Sequence, residues 1–132
     1  MTSALALDFK QPDLIGALVT LNDESLDRLE FGVIGFNKAP DALVLHYSAS
    51  ESRNSGLDPS RVLGRPLFRV VAQCMNNDLV AGCFDAAVEA GCALDAMLDF
   101  TFTLWMKATP VTLRLLSSPD RATQFVAVRW KP

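Results

Sequence analysis

The last third of the chain limits the choice of fold more than any other stretch. Phe100, Phe102, Leu104 and Met106 fall on alternate positions along Ala96 to Lys107, and Val111, Leu113 and Leu115 do so along Val111 to Leu116. A third strand-like run spans Thr123 to Lys131. A period of two marks strands with one face buried. Ala108-Thr-Pro110 and Ser117-Ser-Pro-Asp120 carry turn residues between the runs. Three consecutive strands joined by short turns form an antiparallel meander. Its apolar face needs a cover, which the rest of the chain has to supply.

Upstream, Phe31-Gly-Val-Ile-Gly-Phe36 and Leu43 to Ser48 read as a hairpin joined through Asn37-Lys-Ala-Pro-Asp41. Strict alternation in the second strand puts Leu43, Leu45 and Tyr47 on one face and Val44, His46 and Ser48 on the other. Ala49 to Gly56 is polar and reads as irregular, with one helical turn. Asp58-Pro59 starts a short helix that Gly64 and Pro66 end. Asn77 to Ala90 is the best long helix, with Leu79, Val80, Cys83, Phe84, Ala87 and Val88 spaced by three and four, and Gly91 stops it. Before the hairpin come a flexible or loosely docked arm over residues 1–12 and two short helices, Asp13 to Thr20 and Asp23 to Arg28, the second capped by Asn22. Helices that short need support, and the outer face of the sheet is expected to give it. The order predicts an α+β fold: a five-stranded antiparallel sheet, a helical crossover on one face that leaves a pocket, and short N-terminal helices. Residues 1–25 read as an N-terminal cap and 26–132 as the one domain.

At 132 residues the chain has room for a single core. A net charge of −3, with acids and bases mixed, gives no footprint for nucleic acid. No basic amphipathic run points to a membrane surface, and no segment nears the roughly 20 apolar residues of a membrane helix. The N-terminus lacks a basic start and a long apolar stretch, so a cytoplasmic protein is expected. Cys74, Cys83 and Cys92 are odd in number, which argues against a disulfide framework, and their spacing fits no zinc pattern. No metal site is expected, and Cys83 and Cys92 read as small buried or half-buried apolar residues.

Several motifs then fall into one register. They are Leu26-Asp27-x-Leu29-x-Phe31-Gly32-x-Ile34, Leu45-x-Tyr47-x-Ala49-x-Glu51, Gly56-x-Asp58-Pro59-x-x-Val62-x-Gly64, Val71-Ala72-x-Cys74, and Thr101-Phe102 with Met106. From about Ala17 to Trp130 the chain resembles the photoactive yellow protein (xanthopsin) family, blue-light receptors of the PAS-domain class. The resemblance implies a PAS fold and a p-coumaric acid chromophore held as a thioester on Cys74. It implies that Tyr47 and a protonated Glu51 hold the phenolate end, that Ser55 supports Tyr47, and that Leu57 and Met106 lie at the chromophore. Met106 stands where the family's methionine assists return to the resting isomer. Light would isomerise the chromophore's double bond, Glu51 would pass its proton to the phenolate, and the resulting buried carboxylate would drive partial unfolding, with the N-terminal helices the first to let go. Three positions depart from the family pattern: Leu57 replaces a shielding arginine, Leu104 a pocket tyrosine, and Gln73 a proline before the cysteine.

Read without the resemblance, these residues have plainer roles. Cys74 is a buried thiol, Tyr47 a core aromatic with its hydroxyl at the edge, Glu51 a solvated loop acid, and Met106 a core residue. His46 falls opposite Tyr47 and reads as a surface or interface residue, and Trp105 and Trp130 as partly exposed or interface residues. The leading reading is a photoreceptor with an unidentified downstream signalling partner, acting as a monomer or weak homodimer. The alternative is a chromophore-free PAS module that binds another small molecule or a protein. A cysteine enzyme is disfavoured, because the lone histidine lies off the face where a base would be needed.

Overall fold

A computed structural model describes residues 7–38, 41–103 and 108–130. Two short helices, α1 (Leu14–Leu18) and α2 (Asp23–Leu26), precede strands β1 (Gly32–Asn37) and β2 (Val44–Tyr47). Helix α3 (Ala49–Ser55), a series of tight turns and helix α4 (Ala81–Ala90) cross to the meander β3 (Leu94–Phe102), β4 (Thr109–Ser117) and β5 (Thr123–Trp130). All pairings are antiparallel, in the order β2-β1-β5-β4-β3. The first and last strands thus meet at the centre of the sheet, where β1 pairs with β5 from Gly32 opposite Val128 to Asn37 opposite Thr123. Among the described residues no helix is long and apolar enough to cross a membrane.

The central strands are covered on both sides, and every residue from Val111 to Ser117 is buried. The crossover packs its Val62, Leu67, Met75 and Phe84 on one face, against Ile34, Phe36, Leu113 and Val126. The N-terminal segment packs Phe9, Leu14, Leu18 and Leu26 on the other, against Val33, Leu116, Phe125 and Ala127. Burial of these apolar faces on both sides is the main stabilising term. A buried arginine ties the second layer down, so the described part of the arm, expected to be flexible or loosely docked, is held with Phe9 in the core. Arg114 holds Asp95 through two bonds of 2.8 Å and donates from Nη1 to the carbonyls of Phe9 (2.9 Å) and Gln11 (2.7 Å). The guanidinium of Arg129 lies 5.1 Å over the Phe9 ring, a cation–π contact.

Thr109 and Pro110, expected in the turn Ala108-Thr-Pro110, are instead the first residues of β4, paired with Phe102 and Thr101. Three further local expectations are corrected. First, alternation does not run through β2. Phe36 pairs with Val44 but Gly35 with His46, so Leu45 is the extra residue of a bulge. A bulge flips the side-chain order, so Val44 and Tyr47 are both buried while Leu45 is 42 % exposed. Secondly, residues 49–55 are not irregular but form a helix of seven residues. Ser48 caps it, and Gly56 ends it with a φ of 79°, a left-handed conformation that suits glycine. Thirdly, α4 starts at Ala81 rather than Asn77. The Asn77 side chain accepts from the amides of Leu79 and Val80 and makes a local turn there instead. Leu79 is therefore off the buried stripe and 59 % exposed. Of the two bland cysteines, Cys83 is half-buried and Cys92 is exposed beyond the end of α4, where no neighbouring layer covers it.

Candidate functional site

Three features place the site. Tyr47 ends β2, just beyond the bulge that turns it inward. Helix α3 follows at once, because Ser48 is its cap: its Oγ accepts from the Glu51 amide at 3.3 Å and from the Val33 amide of β1 at 2.9 Å. One turn of helix then sets Glu51 beside Tyr47, and a second sets Ser55 below it. The third feature is the turn Gln73–Met75, anchored by the buried side chains of Ala72 and Met75, which brings Cys74 to the same cavity.

Tyr47, Glu51, Leu57 and Cys74 line one narrow cavity of about 10 Å³, closed by Ile34, Val71, Ala72, Met75 and Phe102. The two hydroxyls of Tyr47 and Ser55 are hydrogen-bonded at 2.7 Å, and Ser55 Oγ also accepts from the Leu57 amide at 3.1 Å. Glu51 is only 2 % exposed, so the solvated loop acid of the composition-only reading is ruled out. Burial pushes its carboxyl up from 4.5 to about 7, against the pull of a hydrogen bond from Trp130. Burial also raises the Tyr47 hydroxyl well above its ordinary value, with the nearby Glu51 charge adding to the rise and Ser55 opposing it. Near neutrality the cavity therefore offers a phenol and, over much of the range, a neutral acid, both of which can donate.

Gly32 on β1 makes room for the acid: a Cβ there would overlap the Glu51 carboxyl. Glu51 stands three residues after the cap, in the Ser-x-x-Glu spacing that often has the acid bond back to the capping amide. Here the Ser48 amide instead pairs with the Val33 carbonyl at 3.0 Å. Oε1 of Glu51 accepts from Nε1 of Trp130 at 2.8 Å. The sequence reading missed Trp130, since the two residues are 79 apart and only the β1–β5 pairing joins their ends of the sheet. The Ser-x-x-Glu spacing was the signal available for α3.

His46 faces away from the cavity. Its Nδ1 lies 2.6 Å from Oδ1 of Asp23 on α2, a link between the sheet and the N-terminal layer. Gln73 is exposed and donates to the Arg69 carbonyl at 2.7 Å. Met106 and Leu104, read as chromophore-side positions, lie outside the described residues. A groove beside Phe68, Arg69, Phe84 and Asp85 contains none of the candidate site residues.

Known proteins resemble the chain in both sequence and fold. It is 32% identical over 107 residues to photoactive yellow protein of Halochromatium salexigens, covering 81% of this chain and 83% of that protein. The photoactive yellow protein domain of the sensor histidine kinase Ppr from Rhodospirillum centenum superposes with a TM-score of 0.77 at 32% identity, over 86% of this chain and 97% of that one. The PAS domain of an HTR-like protein from Haloarcula marismortui shares the fold alone, with a TM-score of 0.58 at 10% identity over 91% of this chain and all of that one. The five-stranded α+β architecture is thus a PAS fold. No protein-family model matches the chain.

Proposed function

The chain belongs to the photoactive yellow protein family, and from that premise we propose that it is a blue-light photoreceptor carrying p-coumaric acid as a thioester on Cys74. The carrying observation is the cavity that Cys74, Tyr47 and Glu51 share. The lining has the chemistry for such a group, a thiol, two proton donors and apolar walls, and at about 10 Å³ the cavity has to widen to admit the ring. When bound, the chromophore would supply light absorption and a double bond that isomerises.

The chain's own residues do the rest. Tyr47 and protonated Glu51 donate to an anionic oxygen that would be too costly to bury unpaired. For Tyr47 to donate, it takes the Ser55 hydroxyl as its own donor, across the 2.7 Å bond between them. Leu57, at the cavity wall, excludes water there without adding a charge. Met106 is assigned to the return to the resting isomer on the family pattern alone. Once Glu51 has given up its proton, its carboxylate is left 2 % exposed. In this reading that cost is relieved by loosening the cap of residues 1–25 over the PAS domain of residues 26–132. The released surface then meets a signalling partner. In this reading the protein is not an enzyme.

The test is loading. Protein mixed with an activated p-coumaric ester is expected to gain one acyl group on Cys74 by mass spectrometry and a visible band that bleaches in blue light. A Cys74→Ser variant is expected to gain neither. If the unaltered protein folds but takes up no acyl group, the chromophore-free PAS module stands instead.

A further inference from the structure

Trp130 carries no role in the reading above, yet its indole reaches the most buried acid of the molecule. Nε1–H donates to Oε1 of Glu51 over 2.8 Å. An indole nitrogen donates and does not accept. The oxygen it bonds is therefore an acceptor, and the single proton of the neutral acid belongs on the other oxygen. The ring is held for this task. It packs edge-on against Phe102, with centroids 5.1 Å apart and planes at 67°, and Phe102 is itself part of the cavity wall. Its backbone is set by pairing with Val111 on β4. Among the described residues, the titratable side chains lining the cavity are Glu51, Tyr47 and Cys74, so no cation there competes with the indole for the carboxyl.

We infer that Trp130 is the positioning residue for Glu51: its indole N–H keeps Oε1 as acceptor, directs the acid's proton to the other oxygen, and holds the carboxylate after that proton has left. The transfer half of this inference rests on the proposed photoreceptor function. In the transfer the O–H bond of Glu51 breaks, its electron pair stays on the carboxylate, and the proton passes to the bound anion, with no oxidant or reductant involved. The indole bond strengthens as its acceptor becomes charged, so Trp130 favours the proton-donated state.

Two arms test it. In unloaded protein the Trp130 indole N–H resonance is expected to move with pH at the Glu51 midpoint, and to stop doing so in Glu51→Gln. In Trp130→Phe the Glu51 midpoint, read from its infrared carboxyl band, is expected to rise by about one unit, a tenfold loss of acidity, because a bond favouring the charged form is gone. An indole resonance indifferent to pH in the unaltered protein overturns the inference even if Trp130→Phe fails to fold. In loaded protein Trp130→Phe is expected to shorten the bleached state several-fold, and an unchanged lifetime overturns the proton-holding role. Failure of the unaltered protein to load overturns the photoreceptor reading, and the transfer role with it, while the unloaded arm still decides the Trp130–Glu51 bond.

Discussion

At the scale of single residues, the molecule turns on one buried acid. Glu51 is held neutral by burial, with its carboxyl raised from 4.5 to about 7. Below 4.5 the acid is protonated in both folded and unfolded chains, and burying it costs no ionisation energy. As pH climbs from there to about 7, the unfolded chain loses the proton while the folded one keeps it, so stability falls. The loss is complete above about 7 and amounts to about 3 kcal/mol. Glu51→Gln keeps an acceptor for Trp130 and has no proton to lose. Urea unfolding from pH 4.5 to 8 is expected to show a decline in the unaltered protein that is absent in the variant. Equal slopes would mean that Glu51 is not buried as a neutral acid.

At the scale of elements, α3 is set by what surrounds it more than by its own composition. Ser48 serves two elements with one oxygen, capping α3 and accepting from Val33 on β1. The Asp27 carboxylate accepts from the Ala49 amide at 2.8 Å and joins the start of α3 to the segment after α2. Ser48→Ala removes the cap and leaves the buried Val33 amide without that acceptor. A loss of about 2 kcal/mol is expected in the unfolding free energy, together with a change in the Glu51 carboxyl band as the helix start loosens. A loss below a few tenths of a kcal/mol would show that the cap is dispensable. The bulge at Leu45 matters as much. Without that extra residue the pairing register of β2 would carry Tyr47 to the other face, as strict alternation of Val44 and Tyr47 requires.

At the scale of the whole molecule, a sheet is sandwiched between a crossover that forms the cavity and an N-terminal layer whose described residues do not line it. Arg114 is the strongest visible tie of that layer, since one side chain holds Asp95 and two backbone carbonyls of the arm. Arg114→Met fills similar space and removes these bonds. A stability loss of about 2 kcal/mol is expected, with faster amide exchange around Phe9 to Gln11 while the amides of β4 and β5 stay protected. Uniform loss of protection across the sheet would contradict a separately releasable layer. What the sequence determined alone is what local chemistry can state: the meander, because side chains alternate and turns carry Pro, Ser and Asp; the stop at Gly91, because a left-handed φ of 68° suits glycine; and the grouping of Tyr47, Glu51 and Cys74, because their spacing matched a family. Only the tertiary structure decided the bulge, the length of α3, the first turn of α4 and the bond from Trp130 to Glu51. Each depends on which distant segment takes a backbone or side-chain hydrogen bond, and that choice is made when the sheet closes between β1 and β5.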